Sequence, residues 1–289
     1  MAETPDFGNS ARTNQESIVP KEPIVDALAT RRFINKHRSF VYGMMLGDGS
    51  IDSRGSSAFF SVKHAEDQKD LIFYKWKIME EVAPVPPVRS EKVQPNCQPT
   101  WKFRSARNSE WQRIWSVFHE NCRTAIVNGV KWTYKVVNER ILNEVQDDGL
   151  AVWIMDDGTC NYRKWPDRPL PCPAELELCT SSFSTAENEL IVAWLKKKYD
   201  VQATISTRMQ KLMNGERRPY HTVRMGLASI LKILPRVYPY ILPSFRYKIG
   251  LPQDKGRLSI LESMKHSELT RERESCLETI SRQRQVAGQ

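Results

Sequence analysis

Two short apolar segments, each ending in aspartate and glycine, interrupt the mixed apolar and polar pattern of the chain. The first is FVYGMMLGDG, residues 40–49, and the second is LAVWIMDDG, residues 150–158. Each has the length and composition of a short buried helix, and each is followed by stretches with the alternation typical of strands. The pattern therefore predicts two apolar helices, each ending in an acidic residue where a β-region begins.

The order of predicted elements then occurs a second time. Residues 65–82 and 184–200 both have the apolar spacing of a helix, and strand-like stretches lie before and after each of them. Placing Asp157 on Asp48 gives an offset of 157 − 48 = 109 residues, close to the spacing of the two series. The sequence thus predicts an internal duplication.

Charge and composition narrow the classes of function. The 289 residues include 43 Lys and Arg against 34 Asp and Glu, a surplus of nine positive charges. Such a surplus favours a polyanionic partner, most often nucleic acid, over a merely basic surface. No apolar run approaches the roughly eighteen residues of a membrane span, so no membrane partner is expected. Scattered histidines and six cysteines without a Cys-x-x-Cys pair argue against a zinc finger.

The two terminal aspartates have a chemistry that an isolated turn would not require. An acid at a helix C-terminus is unfavourable because the helix dipole is already negative there, although one Asp-Gly pair is an ordinary turn. If the two helices pack side by side, Asp48 and Asp157 meet at the same end. Gly43 and Gly47, four residues apart on one face, would let a neighbouring backbone approach closely. Two carboxylates beside helix-end carbonyl oxygens suit Mg²⁺, and a pair of such ions can hydrolyse a phosphodiester.

These segments carry a family resemblance. YGMMLGDGS and AVWIMDDGT resemble the two signature helices of LAGLIDADG homing endonucleases of the single-chain, two-repeat type, and their partial match to the consensus favours the I-SceI-like branch. VNGVKW and PYILPSFRYKIGLP extend the resemblance over roughly residues 35–252. The usual small residue is Gly43 in the first copy but Val152 in the second, so asymmetric helix pairing is expected.

The resemblance implies an α+β fold. Two pseudo-symmetric αββαββα halves would pack through the paired signature helices, and curved antiparallel β-sheets would form a DNA-binding saddle. The corresponding division is a flexible N-terminal lead-in at 1–34, a first half at 35–146, a second half at 147–252 and a charged C-terminal extension at 253–289.

The resemblance also implies a metal site. Asp48 and Asp157 match the family's metal-binding aspartates, and the backbone carbonyls of Gly47 and Asp156 stand where the family draws further ligands. The implied cofactor is Mg²⁺, with Mn²⁺ able to substitute. The side chain of Asp156 is left open, since it could cap the helix or approach the metal.

Two lysines match the basic residues that flank the scissile phosphates in the family. They are Lys131 in VNGVKW and Lys248 in FRYKIG, and Lys135 competes with Lys131 for the first position. A lysine near the metal-bound water could polarise that water or neutralise the developing phosphate charge. The alternative for each is a surface lysine that binds backbone phosphate.

The strand-like stretches interleave basic residues with aromatic and hydroxyl residues. Alternate residues of a strand share a face, so the pair Lys102 and Arg104 and the pair Arg208 and Gln210 are each expected on one face. Such a sheet can lie in the major groove, where Arg and Lys read guanine and Gln reads adenine. The predicted DNA contacts are Arg54, Lys63, Lys92, Lys102, Arg104, Arg163, Lys164, Arg208, Gln210, Lys211, Arg217 and Arg224.

Three functions can use such a surface. The first is a monomeric, metal-dependent homing endonuclease that cuts both strands of a long asymmetric DNA target and leaves short 3′ overhangs. The second is an intron maturase that binds intron RNA on the same sheets, and one protein can combine both activities. The third is a repressor that binds DNA without cutting it. The acid pair favours the endonuclease, because a protein that only binds has no physical need for it. An organellar location is implied only by the resemblance, since no presequence is evident.

Overall fold

Two copies of one helix–strand series follow each other in the computed structural model, which describes residues 25–90, 98–127, 130–211, 217–253, 255–263, 276 and 278–282. The helices are α1 (Ala27–Lys36), α2 (Arg38–Leu46), α3 (Lys69–Met79), α4 (Ser109–Phe118), α5 (Glu139–Glu144), α6 (Asp147–Asp157), α7 (Thr185–Tyr199), α8 (Leu227–Val237) and α9 (Ile260–Ser263). The strands are β1 (Ser50–Arg54), β2 (Ser57–Ala65), β3 (Val88–Ser90), β4 (Thr100–Arg104), β5 (Thr124–Val127), β6 (Val130–Thr133), β7 (Gly158–Arg163), β8 (Cys172–Cys179), β9 (Ala203–Lys211) and β10 (Arg217–Gly226).

The two halves have the same topology. The series α2-β1-β2-α3-β3-β4-α4 matches α6-β7-β8-α7-β9-β10-α8, so the predicted αββαββα duplication is confirmed. The first sheet has the strand order β1-β2-β4-β3 and the second has β7-β8-β10-β9, and all these pairings are antiparallel. Between the halves lie the hairpin β5–β6 and helix α5, which the sequence pattern did not predict.

The helices α2 and α6 pack against each other at the centre of the molecule. Both are apolar on all sides, as expected of helices buried between two layers, and the residues from Leu150 to Met155 are fully buried. A Cβ atom on Gly43 would lie 2.7 Å from the Cα of Gly149. The residue of α6 at this close contact is therefore Gly149, three positions before Val152. The pairing is asymmetric, as expected, because the small residue of α6 stands at a different position from that of α2.

The N-terminal boundary differs from the prediction. Helix α1 begins at Ala27, inside the segment expected to be a flexible lead-in, and the side chain of Asp26 caps it by accepting from the Leu28 amide at 3.2 Å. Phe33 and Ile34 are buried in the core. The lead-in boundary at residue 34 was therefore placed too late, because these two apolar residues anchor the helix. Residues 1–24 lie outside the described part of the chain.

Part of the predicted C-terminal extension packs on the second half. The amide of Ile260 donates to the carbonyl of Gly250 at 2.7 Å, and the side chains of Ile260 and Ile280 are buried in the core. The five cysteines in the described ranges are free thiols. Within those ranges no helix is long and apolar enough to cross a lipid bilayer.

Candidate active site

The two predicted aspartates lie at the C-terminal ends of the paired helices. Asp157 is the last residue of α6, and Asp48 is the second residue after α2. The backbone amide of Asp48 donates to Oδ2 of Asp156 at 3.1 Å, so the two helix ends are in direct contact. The structure thus brings together two acids that are 109 residues apart in sequence.

The electrostatics of this pair favour a cation. Burial and the charges of Asp48 and Asp156 raise the pKa of Asp157 to about 7. Burial and the charge of Asp156 likewise raise the pKa of Asp48. The Asp157 carboxylate has no hydrogen bond or ion pair to the residues that the structure describes, and the Asp48 side chain is 40% exposed. Hard carboxylate oxygens that repel each other beside helix-end carbonyls fit a divalent cation such as Mg²⁺.

One lysine caps each of the paired helices. Lys135 Nζ donates to the carbonyls of Met45, Gly47 and Gly49 at 2.6, 2.8 and 3.1 Å. Lys248 Nζ donates to the carbonyls of Met155 and Asp156 at 2.5 and 2.9 Å. Both ammonium groups satisfy carbonyls that have no partner within their helix and oppose the negative end of the helix dipole.

The lysine that the structure places at the first helix end is Lys135, the competitor of Lys131 for this position. Residue 131 lies in strand β6, where it pairs with Ile126, and its side chain is outside the described part of the structure. The number of residues between the metal-site aspartate and the lysine could have identified Lys135 from the sequence. It is 248 − 157 = 91 in the second half, against 135 − 48 = 87 and 131 − 48 = 83 in the first, so Lys135 agrees better with the duplication.

The side chain of Asp156 points into the first half of the molecule. Its carboxylate forms a buried ion pair with Lys75 on α3, next to His64 on β2. Neither Lys75 nor His64 was predicted from the sequence. The sequence pattern could have singled out Lys75, because it lies four residues after Leu71 and four before Met79, on a helix face where an apolar residue is expected.

The outer face of the first sheet carries four of the predicted DNA contacts. The register places them on the side opposite the buried residues Phe60, Val62 and Phe103. Burial, together with the charges of the neighbouring Arg104 and Lys63, lowers the pKa of Lys102, so the cations on this face repel one another. The four are Arg54, Lys63, Lys102 and Arg104.

The outer face of the second sheet mixes cations with acids. The register places Arg208, Gln210 and Arg224 on one face. The guanidinium of Arg224 lies 3.1 Å from a carboxylate oxygen of Glu177 and 3.4 Å from one of Glu175. Its charge is therefore compensated within the protein. Among the described residues, the exposed Arg208 has no carboxylate partner.

The remaining predicted contacts are placed differently. By the register, Arg217 pairs with Lys211 and lies on the face opposite Arg224. The Arg163 guanidinium is 5.5 Å from the centre of the Trp165 ring, at the end of β7, and Lys164 follows it. Lys92 lies outside the described residues, as does the side chain of Lys211.

The raised pKa of Asp157 predicts a dependence of stability on pH. A carboxyl whose folded pKa is about 7, against an ordinary value of 3.8, loses its favourable contribution as the pH rises between those values. In metal-free buffer, Asp157→Asn is therefore expected to raise the free energy of unfolding more at about pH 8 than at about pH 5, by about 2 kcal/mol. Chemical denaturation in EDTA measures this difference, with the exposed Asp67→Asn as control. An equal gain at both pH values would contradict the prediction.

Comparison with known proteins identifies the family. A profile of the LAGLIDADG DNA endonuclease family matches residues 38–217, more than half of the chain. The chain therefore belongs to the LAGLIDADG DNA endonuclease family. Its placement in the I-SceI-like branch stays a prediction.

The chain is similar to both nucleases and maturases. The DNA endonuclease I-ChuI of Chlamydomonas applanata is 23% identical over 230 residues, covering 77% of this chain and 98% of that protein. The cytochrome b mRNA maturase bI2 of Saccharomyces cerevisiae is 24% identical over 221 residues, covering 73% of this chain but only 47% of the maturase. The solved structure of the homing endonuclease I-WcaI bound to its DNA recognition sequence superimposes with a TM-score of 0.55 at 18% identity, covering 76% of this chain and 91% of that one. That likeness shows a shared fold.

Proposed function

We propose that the chain is a homing endonuclease that recognises one long DNA site and cuts both strands, leaving short 3′ overhangs. The observation that carries this proposal is the meeting of Asp48 and Asp157 at the ends of two central helices, with a sheet attached to each half. The family membership and the similarity to the DNA endonuclease I-ChuI support it.

The residues fit a divalent metal site. Asp48 and Asp157, with the carbonyls of Gly47 and Asp156, would hold Mg²⁺, and Mn²⁺ has the ligand preference to substitute. Bound there, the metal supplies activation of a water and stabilisation of the leaving phosphodiester oxygen. The chain's own part is to aim both carboxylates at the same place, and a bound cation would favour their ionised forms.

Lys135 and Lys248 act on the helix-end carbonyls and on the phosphate. Their hydrogen bonds hold the carbonyls of Gly47 and Asp156 in fixed directions. Their ammonium charges also lie beside the site, where negative charge develops on the phosphate during hydrolysis. Lys131 has no described role in this arrangement.

The sheets provide the DNA surface. Four cations on the outer face of the first sheet would contact phosphates or guanine, whereas the Arg224–Glu177 pair on the second sheet offers both a donor and an acceptor to base edges. Because the two faces differ in chemistry, one monomer would read an asymmetric target. Homing into a copy of the host gene that lacks the insert would require such a site.

Cleavage of the joined flanking sequence tests the proposal. A plasmid carrying the sequences on either side of the reading frame, joined without the insert, is expected to be linearised in Mg²⁺ and left intact in EDTA. The control is a plasmid in which the insert still separates the two flanking sequences, and this plasmid should stay circular. Sequencing of the ends reads the overhang. Binding of the joined site without any cleavage in Mg²⁺ would overturn the assignment in favour of a repressor.

The similarity to a cytochrome b mRNA maturase favours a second function, assistance of intron splicing through RNA binding on the same sheets. Such a protein would bind its intron RNA and leave the joined plasmid intact. Relatives described as intron-encoded endonucleases support a gene located within an intron. An organellar compartment is part of the same proposal.

A further inference from the structure

A carboxylate lies buried in the contact between the paired helices, next to Asp48. The Asp156 side chain has no solvent exposure. It faces Gly47 of the first half, where an added Cβ atom would lie 2.6 Å from the Cβ of Asp156. The glycine therefore leaves the space through which the Asp156 carboxylate crosses from the second half into the first.

The described polar partners of this carboxylate belong to the first half. Its Oδ1 accepts from Nζ of Lys75 and lies 3.8 Å from Nε2 of His64. Its Oδ2 accepts from the backbone amide of Asp48 at 3.1 Å. A side chain of the second half thus holds the main chain of the proposed metal ligand in the first half.

Lys75 and His64 complete the cluster. Lys75 is fully buried, and its ammonium lies 3.0 Å from Nε2 of His64. An ammonium group can only donate, so Nε2 accepts and the ring proton is on Nδ1. Nδ1 is 3.1 Å from Oε1 of Gln68 and 3.4 Å from Oδ2 of Asp48. The Nδ1–H group of the neutral imidazole therefore donates to Gln68, and the Asp48 carboxylate lies close to the same nitrogen.

The cluster already contains its cation. Asp48, His64 and Asp156 have ligand atoms within 4.8 Å of one another, a grouping that could hold a metal ion. The Lys75 ammonium, however, is hydrogen-bonded to two of these three residues, Asp156 and His64. The one acceptor nitrogen of the neutral His64 ring is occupied by Lys75, so His64 has no lone pair left for a metal ion. The cluster is therefore better suited to orient Asp48 than to bind a metal itself.

We propose that Lys75, His64 and Asp156 form a positioning network that orients Asp48. Asp156 holds the Asp48 amide, His64 faces the Asp48 carboxylate, and Lys75 joins the two. The inference rests on the proposed function, in which Asp48 is a metal ligand. Substitution of residues that hydrogen-bond to metal ligands typically lowers metal affinity or activity by about 10- to 100-fold.

The double variant Lys75→Met/Asp156→Asn tests the network. It removes both buried charges with side chains of similar size, so neither partner is left as an unpaired buried ion. Mn²⁺ affinity is measured by electron paramagnetic resonance on the protein bound to the joined-site duplex with non-hydrolysable linkages at the cleaved positions. The dissociation constant for Mn²⁺ is expected to rise about tenfold. The Mg²⁺ concentration for half-maximal cleavage should rise in parallel, while the affinity for DNA stays within about twofold.

Lys77→Met is the matched control. It removes one positive charge from the same helix, but Lys77 is 71% exposed and pairs with Glu80 on the surface. Its Mn²⁺ affinity and cleavage are expected to equal those of the wild type.

Unchanged Mn²⁺ affinity in the folded double variant would overturn the proposal. If that variant does not fold, His64→Gln takes its place, because it preserves the Lys75–Asp156 ion pair. An increase of about threefold or more in its Mn²⁺ dissociation constant is expected, and wild-type affinity would overturn the network. A wild-type protein that binds Mn²⁺ and the unmodified duplex without cutting would refute the nuclease assignment, while the Mn²⁺ affinities would still decide whether the network exists.

Discussion

Asp157→Asn is expected to reduce double-strand cleavage by about a thousandfold or more while the dissociation constant for DNA changes by less than about threefold. The amide has nearly the size of the carboxylate but lacks the negative charge that a divalent cation requires. The outer faces of the sheets are untouched, so binding should persist. Single-turnover cleavage in Mg²⁺ and DNA binding in Ca²⁺ measure the two quantities separately.

Asp48→Asn should give the same result, because the two acids occupy equivalent positions in the duplicated halves. The exposed Asp67→Asn is the control and should cut like the wild type. Cleavage at the wild-type rate by either active-site variant would exclude the metal assignment. Parallel losses of binding and cleavage would show that these acids maintain the fold and would remove their proposed chemical role.

Gly43→Ala is expected to lower the free energy of unfolding by about 3 kcal/mol and to slow cleavage as well. A Cβ atom at this position would lie 2.7 Å from both the Cα and the carbonyl carbon of Gly149. These are backbone atoms of the facing helix and cannot rotate away, so the two helices must separate. Separation would also move Asp48 relative to Asp157. Urea denaturation and single-turnover cleavage at low temperature measure the two effects.

Gly226→Ala is the matched control for this substitution. Gly226 lies before helix α8 with a φ of −74°, and no atom lies within 4 Å of the position its Cβ would occupy. Gly226 is the N-cap of α8, so its cost should be only that of alanine at a helix N-cap, about 0.5–1 kcal/mol. A cost at Gly43 as small as that at Gly226 would show that α2 and α6 do not pack as closely as described.

The sequence by itself determined the duplication and its two acidic helix ends. Apolar runs that end in Asp-Gly at a spacing of 109 residues identify Asp48 and Asp157 without any structure, because equal local patterns produce equal local elements. The same alternation gave the strands, and strand periodicity placed Lys102 with Arg104 on one face, as the register shows. These features depend on residues near each other in the chain.

Only the tertiary structure decided which distant side chains meet at those helix ends. Gly149, and not residue 152, makes the close contact with Gly43, and Lys135, which follows the hairpin β5–β6, donates to the carbonyls at the end of α2. The cluster of Asp156, Lys75 and His64 depends on residues 81 and 92 positions apart, since 156 − 75 = 81 and 156 − 64 = 92. Local propensity carries no information about such a contact. From the sequence of α3 alone, a lysine at a buried position is unfavourable. Only the packing of the two halves brings Asp156 to Lys75 and compensates its charge.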